Sequence, residues 1–349
     1  MSLRSVALLV ALSTAASAAA GEEAAPREAL VRRALDELHR ERFEKALATA
    51  AELRRRFPAD PAGPLTEANV YQTLMRDYRL RDHEPEFMAA LAEARRLSDA
   101  AVRSHPDAEA YFARASARGY VAIHDYRCGR WLPALAHGLH CLGDMNQAVK
   151  LDPGFVDPEL ALALHDYWKS RRLGLFFGGR RSGAIARMET VWKEGRYLSV
   201  EAAYGLTTVL LLEGALDRAL EVSDWLHARF PDNPVHLYYR ARVLEGLGRP
   251  ADALGSWDRL VERLLASGRI SHGFLAECHL RRARLLALAA AGASSQEDAT
   301  AALRLARQHA SARDPRLEME GPLEGFEKIE EEIARLEGTL AKRLAGGSR

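Results

Sequence analysis

Only three of the 349 residues are cysteine, too few for a disulfide framework. Neither sign of charge is in excess: Lys plus Arg is 49 and Asp plus Glu is 48. That balance argues against a general nucleic-acid binder, which carries a basic excess on one face. Past the N-terminus no apolar run approaches the roughly 20 residues that a membrane span requires. Ile and Val are few beside Ala and Leu, which favours helix over sheet. Catalytic signatures are missing as well. There is no nucleophile elbow, phosphate loop, His-Glu-x-x-His motif or dinucleotide fingerprint. No enzymatic activity and no cofactor are therefore expected. What the chain does have is length for a sizeable core, with 48% hydrophobic residues.

The first residues, MSLRSVALLVALSTAASAAAGEE, read as a secretory leader. Arg4 supplies the positive start and Val6 to Leu12 the apolar run. Ala16-Ser17-Ala18 and Ala18-Ala19-Ala20 both fit the small-x-small cleavage rule. An uncleaved anchor is the alternative, disfavoured by a run well short of a span, and no cysteine near the cut suggests a lipid anchor. Removal of residues 1–20 takes away Arg4 and no acid, so the mature chain is neutral. The expected address is an exported compartment, the periplasm of a bacterium, with no membrane span after cleavage.

From Pro26 onward helix follows helix, and no alternating strand pattern is convincing. Turn signals punctuate the chain: FPADPAGP at 57–64, SHPD at 104–107, LDPG at 151–154, FPDNP at 230–234 and GLGRP at 246–250. Long periodic segments between such signals make antiparallel helical hairpins. Internal repetition is visible between 200–234 and 234–265. Ala219 and Ala253 are 34 residues apart, as are Leu226 and Leu260, Leu210 and Leu244, and Gly214 and Gly248. The small residues suit close helix crossings, and the leucines fill the seam.

This spacing resembles the tetratricopeptide repeat. The resemblance rests on Leu206, Leu210, Ala219, Leu226 and Pro231 in one unit. In the next it rests on Leu237, Ala241, Leu244, Gly248, Ala253 and Leu260. A weaker unit lies at 28–61, with Ala34, Ala46, Leu53 and Pro58 at matching offsets. A longer one runs from Gly119 to Pro153, with Ala122, Ala134 and Ala148 in small-residue slots. The resemblance implies an all-α, right-handed solenoid of antiparallel helical hairpins. The expected organisation is a leader at 1–20, N-terminal hairpins at 26–105 and divergent helices with a Phe/Gly loop at 106–198. Two clear repeats follow at 199–267, then C-terminal helices at 268–349. In that last part Phe326, Ile329, Ile333, Leu336 and Leu340 fit a capping helix, which a repeat stack needs at its end. The Tyr167–Trp168 helix end and the loop Leu175, Phe176, Phe177, Gly178, Gly179 are similar to a group of exported bacterial repeat proteins with no assigned chemistry.

One constellation carries possible chemistry. His124 and Cys128 are four apart, and so are His137 and Cys141 on the next helix. If both pairs faced inward, two His and two Cys would match zinc in ligand type and number. They equally fit plain packing residues, or a Cys128–Cys141 disulfide in an oxidising compartment. Cys278 reads as buried and inert. His165, Asp166 and Tyr167 are consecutive, so on a helix they diverge instead of forming a catalytic trio. Arg171, Arg172, Arg180 and Arg181 bracket the Phe/Gly loop and read as solvated arginines, with anion binding as the alternative.

In tetratricopeptide repeats the first helix of each pair lines a concave groove. The resemblance thus implies partner-binding roles for Tyr204 and Thr208 in one repeat, and for Tyr238, Arg242 and Glu245 in the next. The expected function is a non-catalytic scaffold that binds a protein or peptide. A small-ligand or metal-binding module at His124, Cys128, His137 and Cys141 is the rival.

Overall fold

The computed structural model describes residues 26–172, 178–289 and 293–346. The leader at 1–20 and loop residues Leu175, Phe176 and Phe177 lie outside the described residues. The chain forms α1 (26–39), α2 (Phe43–Arg56), α3 (Ala62–Tyr78), α4 (Glu84–Ser104) and α5 (Ala108–Arg127). Next come α6 (Trp131–Leu151), α7 (Glu159–Arg172), α8 (Gly178–Glu194), α9 (Ser199–Glu213) and α10 (Leu216–Arg229). The last are α11 (Pro234–Gly246), α12 (Pro250–Ala266), α13 (His272–Ala289), α14 (Ala293–Ala312) and α15 (Phe326–Gly346). Helices from α2 onward pack on their sequence neighbours, and alternate helices α3 with α5, α9 with α11, and α13 with α15 also touch. This is an all-α solenoid of helical hairpins. Among the described residues its only β feature is one antiparallel bridge between Leu80 and Glu318.

The 34-residue register of the sequence is a packing register. Ala219 and Ala253 are both fully buried, as are Leu226 and Leu260. Gly214 and Gly248 both take the left-handed conformation, with φ of 73° and 67°. That conformation suits glycine because a Cβ would crowd the backbone there. Polar caps set the starts of α5, through Asp107, and of α11. Asn233 Oδ1 accepts from the amides of Val235 and His236, with Pro234 as the first residue of α11. Asp157 accepts from the amides of Arg196, Tyr197 and Leu198 at 2.7–2.8 Å, pinning the loop that leads into α9.

The unit read from Gly119 to Pro153 is not in repeat register. Its helices α5 and α6 have 20 and 21 residues, against 15 and 14 in α9 and α10. Ala148 is fully buried, but Ala122 and Ala134 are only half-buried; Ala115 fills the crossing on α5 instead, while Ala117 packs toward α3 and α4. The terminal helix behaves as a cap. Ile329, Ile333 and Leu340 of α15 bury against Ala276, Leu280 and Ala283 of α13, with Leu303 and Ala306 of α14.

The solenoid closes on itself. The α3 helix, early in the chain, packs against α11. Arg81 N–H donates to Leu317 O and Met319 N–H to Arg79 O, each at 2.9 Å. Asn233 Nδ2 reaches Glu41 Oε1 at 2.9 Å and Asp77 Oδ2 at 3.2 Å. The end of α3 and the segment 314–325 therefore meet across the inner face. No helix among the described residues is long and apolar enough to cross a membrane.

Candidate functional site

The inner face has a filled part and an open part. In the filled part the aromatic residues of the first repeat helices serve the core. Tyr204 is 7% exposed and Tyr238 1%. Tyr204 Oη pairs with His236 Nε2, and the Arg76 guanidinium stands 5.2 Å above the Tyr204 ring. Thr208 Oγ1 donates to the Tyr204 carbonyl and is hydrogen-bonded with the Tyr239 hydroxyl, both at 3.0 Å. Tyr238 Oη donates to Glu277 Oε1 at 2.9 Å. Burial, first, and the charge of Glu277, second, push the Tyr238 phenol up from its ordinary value. These tyrosines cannot present their rings to a partner while α3 and the 314–325 segment cover them. The residues expected to line a groove are here covered by the chain itself.

An ionic network ties the filled part together. Arg79 Nη1 donates to Glu277 Oε2 at 2.7 Å, with both side chains nearly inaccessible. Arg242 reaches Glu277 at 3.4 Å and Glu324 at 3.1 Å. Arg281 pairs with Glu324. Three cations hold the Glu277 carboxyl below the usual range, although burial alone would raise it. Glu245 accepts from Trp257 Nε1 at 2.6 Å. Burial raises its pKa, against the pull of Arg281 and Arg242.

The open part begins where this network ends. A cavity of about 500 Å³ is lined by leucines including Leu212, Leu216, Leu285 and Leu288, with Arg284 and Lys328 at its border. Arg242 and Glu245, two of the residues expected at the groove, line it. Leu288 is 79% exposed. The volume lies in the range of about 300–1,000 Å³ typical of ligand sites. Sequence reasoning missed these leucines. The run Leu210, Leu211, Leu212 was the available signal, since three consecutive leucines cannot all face one side of a helix. A second cavity, of about 370 Å³, lies between α1, α3 and α5, lined by Val31, Leu35, Leu65 and Phe112. Arg27 closes its rim through Asp60 at 2.8 Å and Glu109 at 2.6 Å.

The His/Cys tetrad does not converge. His124 turns toward α4, with Nε2 3.0 Å from Glu84 Oε1 and its ring against Phe87. Cys128 Sγ sits 3.7 Å from His124 Nε2. Cys141 instead packs beneath Gly119, among Phe112, Met145 and Phe155. His137 is half-exposed on α6. The two i, i+4 pairs thus sit in different clusters. Cys128, Cys141 and Cys278 are free thiols, and burial pushes Cys141 up to about 12. Among the described residues no three His, Cys, Asp or Glu side chains are grouped to hold a metal. Cys278 is fully buried. Asp166 pairs with Arg187, while Tyr167 is buried and donates to Glu213 Oε1 at 2.9 Å. Arg171 and Arg181 also lie near Glu213, at 3.3 and 3.9 Å.

No protein-family model matches the chain, and no curated protein matches it. Several solved structures are similar at low identity. A tetratricopeptide repeat protein from Parabacteroides merdae is 15% identical, covers 88% of this chain and 98% of its own, and has a TM-score of 0.38. PilW, a type IV pilus biogenesis factor, is 15% identical over 70% of this chain and 91% of its own, with a TM-score of 0.42. Human IFIT1, solved as a dimer with PPP-AAAA, is 14% identical over 80% of this chain and 71% of its own, with a TM-score of 0.44.

Proposed function

We propose that this chain is a non-catalytic scaffold of the periplasm or cell envelope, which holds a peptide segment of a partner protein in the open part of its concave face. The observation that carries this reading is the leucine-lined cavity of about 500 Å³, of whose leucines Leu212 and Leu288 are exposed. Exposed aliphatic side chains gathered in a concavity gain from being covered. Arg284, paired with Glu332, and Lys328, beside Glu324, keep exposed donors at its edge for backbone carbonyls of the bound segment. The address rests on the leader-like start of the sequence.

The test is capture from a periplasmic extract by the wild-type chain and by a Leu212→Glu, Leu288→Glu variant. Both leucines are exposed, so the variant is expected to fold with unchanged helicity. The expected result is loss of the captured protein. Equal capture by both chains removes the groove from consideration. Tyr204 and Tyr238 are unsuitable probes, because replacing either would damage the core.

A further inference from the structure

The point where the solenoid closes holds a small cavity of about 70 Å³. Three arginines line it: Arg76 and Arg79 at the end of α3, and Arg127 at the end of α5. Each is anchored by one edge. Arg76 Nε donates to Asp77 Oδ1 at 2.7 Å, Arg79 Nη1 to Glu277 Oε2 at 2.7 Å, and Arg127 Nη2 to the Glu320 carbonyl at 2.7 Å. Each also has a buried nitrogen with no hydrogen-bond partner among the described residues: Arg76 Nη2, Arg79 Nη2 and Arg127 Nε. The other polar groups in the lining are engaged. Tyr204 is tied to His236, Tyr238 to Glu277 and Tyr239 to Thr208. Both Asp77 oxygens accept hydrogen bonds, from Arg76 and from Asn233. The unused capacity of the cavity is therefore all donor, and it is cationic.

We propose that Arg76, Arg79 and Arg127 form a buried binding site for a tetrahedral oxyanion of the size of inorganic phosphate. One water cannot meet three guanidinium donors with its two lone pairs, and a second water would still leave Arg127 without a counter-charge. Arg127 has only a neutral carbonyl as its anchor, and burial, together with the charge of Arg79, lowers it to about 10. A cavity of about 70 Å³ exceeds one water's share of liquid volume, about 30 Å³, and suits a compact anion. Guanidinium groups hold oxyanions with paired N–H donors. Arg79 adds a backbone observation. It ends α3 at φ 55° and ψ 38°, where Gly or Asn is the usual residue. Its guanidinium lies 3.7 Å from the Phe274 ring centroid and its side chain is 5% exposed. An oxyanion bound here joins the ends of α3 and α5 at the closure point, whatever the open groove holds.

The test is calorimetric titration of the full chain with phosphate, sulfate and acetate in separate arms, at constant ionic strength. Saturable one-to-one binding of phosphate or sulfate is expected, and the stronger arm tells which oxyanion the site prefers. Bound oxyanion is also expected to raise the melting midpoint by about 2–5 °C at a hundred times Kd. Arg127→Gln is expected to weaken binding at least tenfold, and Arg76→Gln serves if that variant does not fold. Several outcomes overturn the proposal. One is no saturable heat with either oxyanion; another is acetate binding as tightly as both. Undiminished binding in a folded variant also overturns it. So does a midpoint that climbs without saturation, which is the general effect of excluded salts.

Discussion

The α9–α12 block, two hairpins, and the α5–α6 hairpin are both built of helices crossing on small residues, yet they treat their leucines in opposite ways. In the block Leu206, Leu210, Leu226, Leu237, Leu244 and Leu260 are buried. On α6, Trp131, Leu132, Leu135 and Leu139 are exposed, beside Ile123 and Tyr126 of α5. The cause is the neighbourhood. The block has hairpins on both sides and α3 over its inner face. Only the later half of α6, from Cys141 to Val149, joins a core cluster, with Leu162 of α7. The α6 helix has 21 residues and α7 only 14, so the first turns of α6 run past their neighbour. A repeat helix owes its burial to the next repeat more than to its own pattern.

If the block depends on what covers its inner face, the largest loss should come from the ionic network there. Glu277→Ala leaves Arg79 and Arg242 facing each other without their carboxylate, and Tyr238 Oη without its acceptor. Breaking a buried pair from one side costs about 3–5 kcal/mol. Urea denaturation followed by helical ellipticity measures it. A loss under about 1 kcal/mol would mean that the closure adds little to the block. Next in size is Ala253→Leu, which forces a larger side chain into a fully buried crossing. Overpacking of this kind costs about 1–3 kcal/mol. The same change at half-buried Ala134 on α6 should cost far less, and equal losses at the two sites would erase the contrast.

This contrast also marks what the sequence made legible. Helices, caps and the 34-residue register follow from local rules, so Gly214, Gly248, Ala219 and Ala253 were readable. The closure was not. The contact from Arg79 to Glu277 spans 198 positions, and no local pattern announces it. The residues expected at the groove fall on α9 and α11, the first helix of each pair. Whether such a position meets a partner or the chain's own α3 depends on the path of the whole solenoid. For Tyr204 and Tyr238 the covering group comes from more than 100 residues away, so periodicity gave no warning. The His/Cys pairs failed for a local reason: i, i+4 spacing gives one face per helix, and these two faces turn to different neighbours.

Buried acids near the closure make a smaller, pH-dependent prediction. Burial, and then the charge of Asp77, raise Glu41 to about 8. Burial raises Glu201 to about 7. In the folded chain these groups hold protons that the unfolded chain releases near 4.5, so they lower stability as pH rises from about 4.5 toward 8. His39 is lowered by burial from 6.5 to about 3, which makes stability rise with pH only below 6.5. Above that the raised acids, Glu245 among them, set the trend. The melting midpoint is expected to fall between about pH 6.5 and 8.5, by about 1–3 °C. Glu41→Gln should flatten the fall, and an unchanged slope in that variant would remove Glu41 as its source.

The smallest effect is expected where the leucines are already in water. Leu135→Gln and Leu139→Gln on α6 remove side chains that are 57% and 60% exposed. Little apolar area returns to solvent when the chain unfolds, so each change should stay within about 0.5 kcal/mol. Leu210→Gln in the block is the matched comparison, because Leu210 is 1% exposed and its amide would be buried without a partner. Measured by urea denaturation, that variant should lose several times more stability than both α6 changes combined. A comparable loss on α6 would show that its apolar face is covered in solution, and would move the hairpin into the same class as the block.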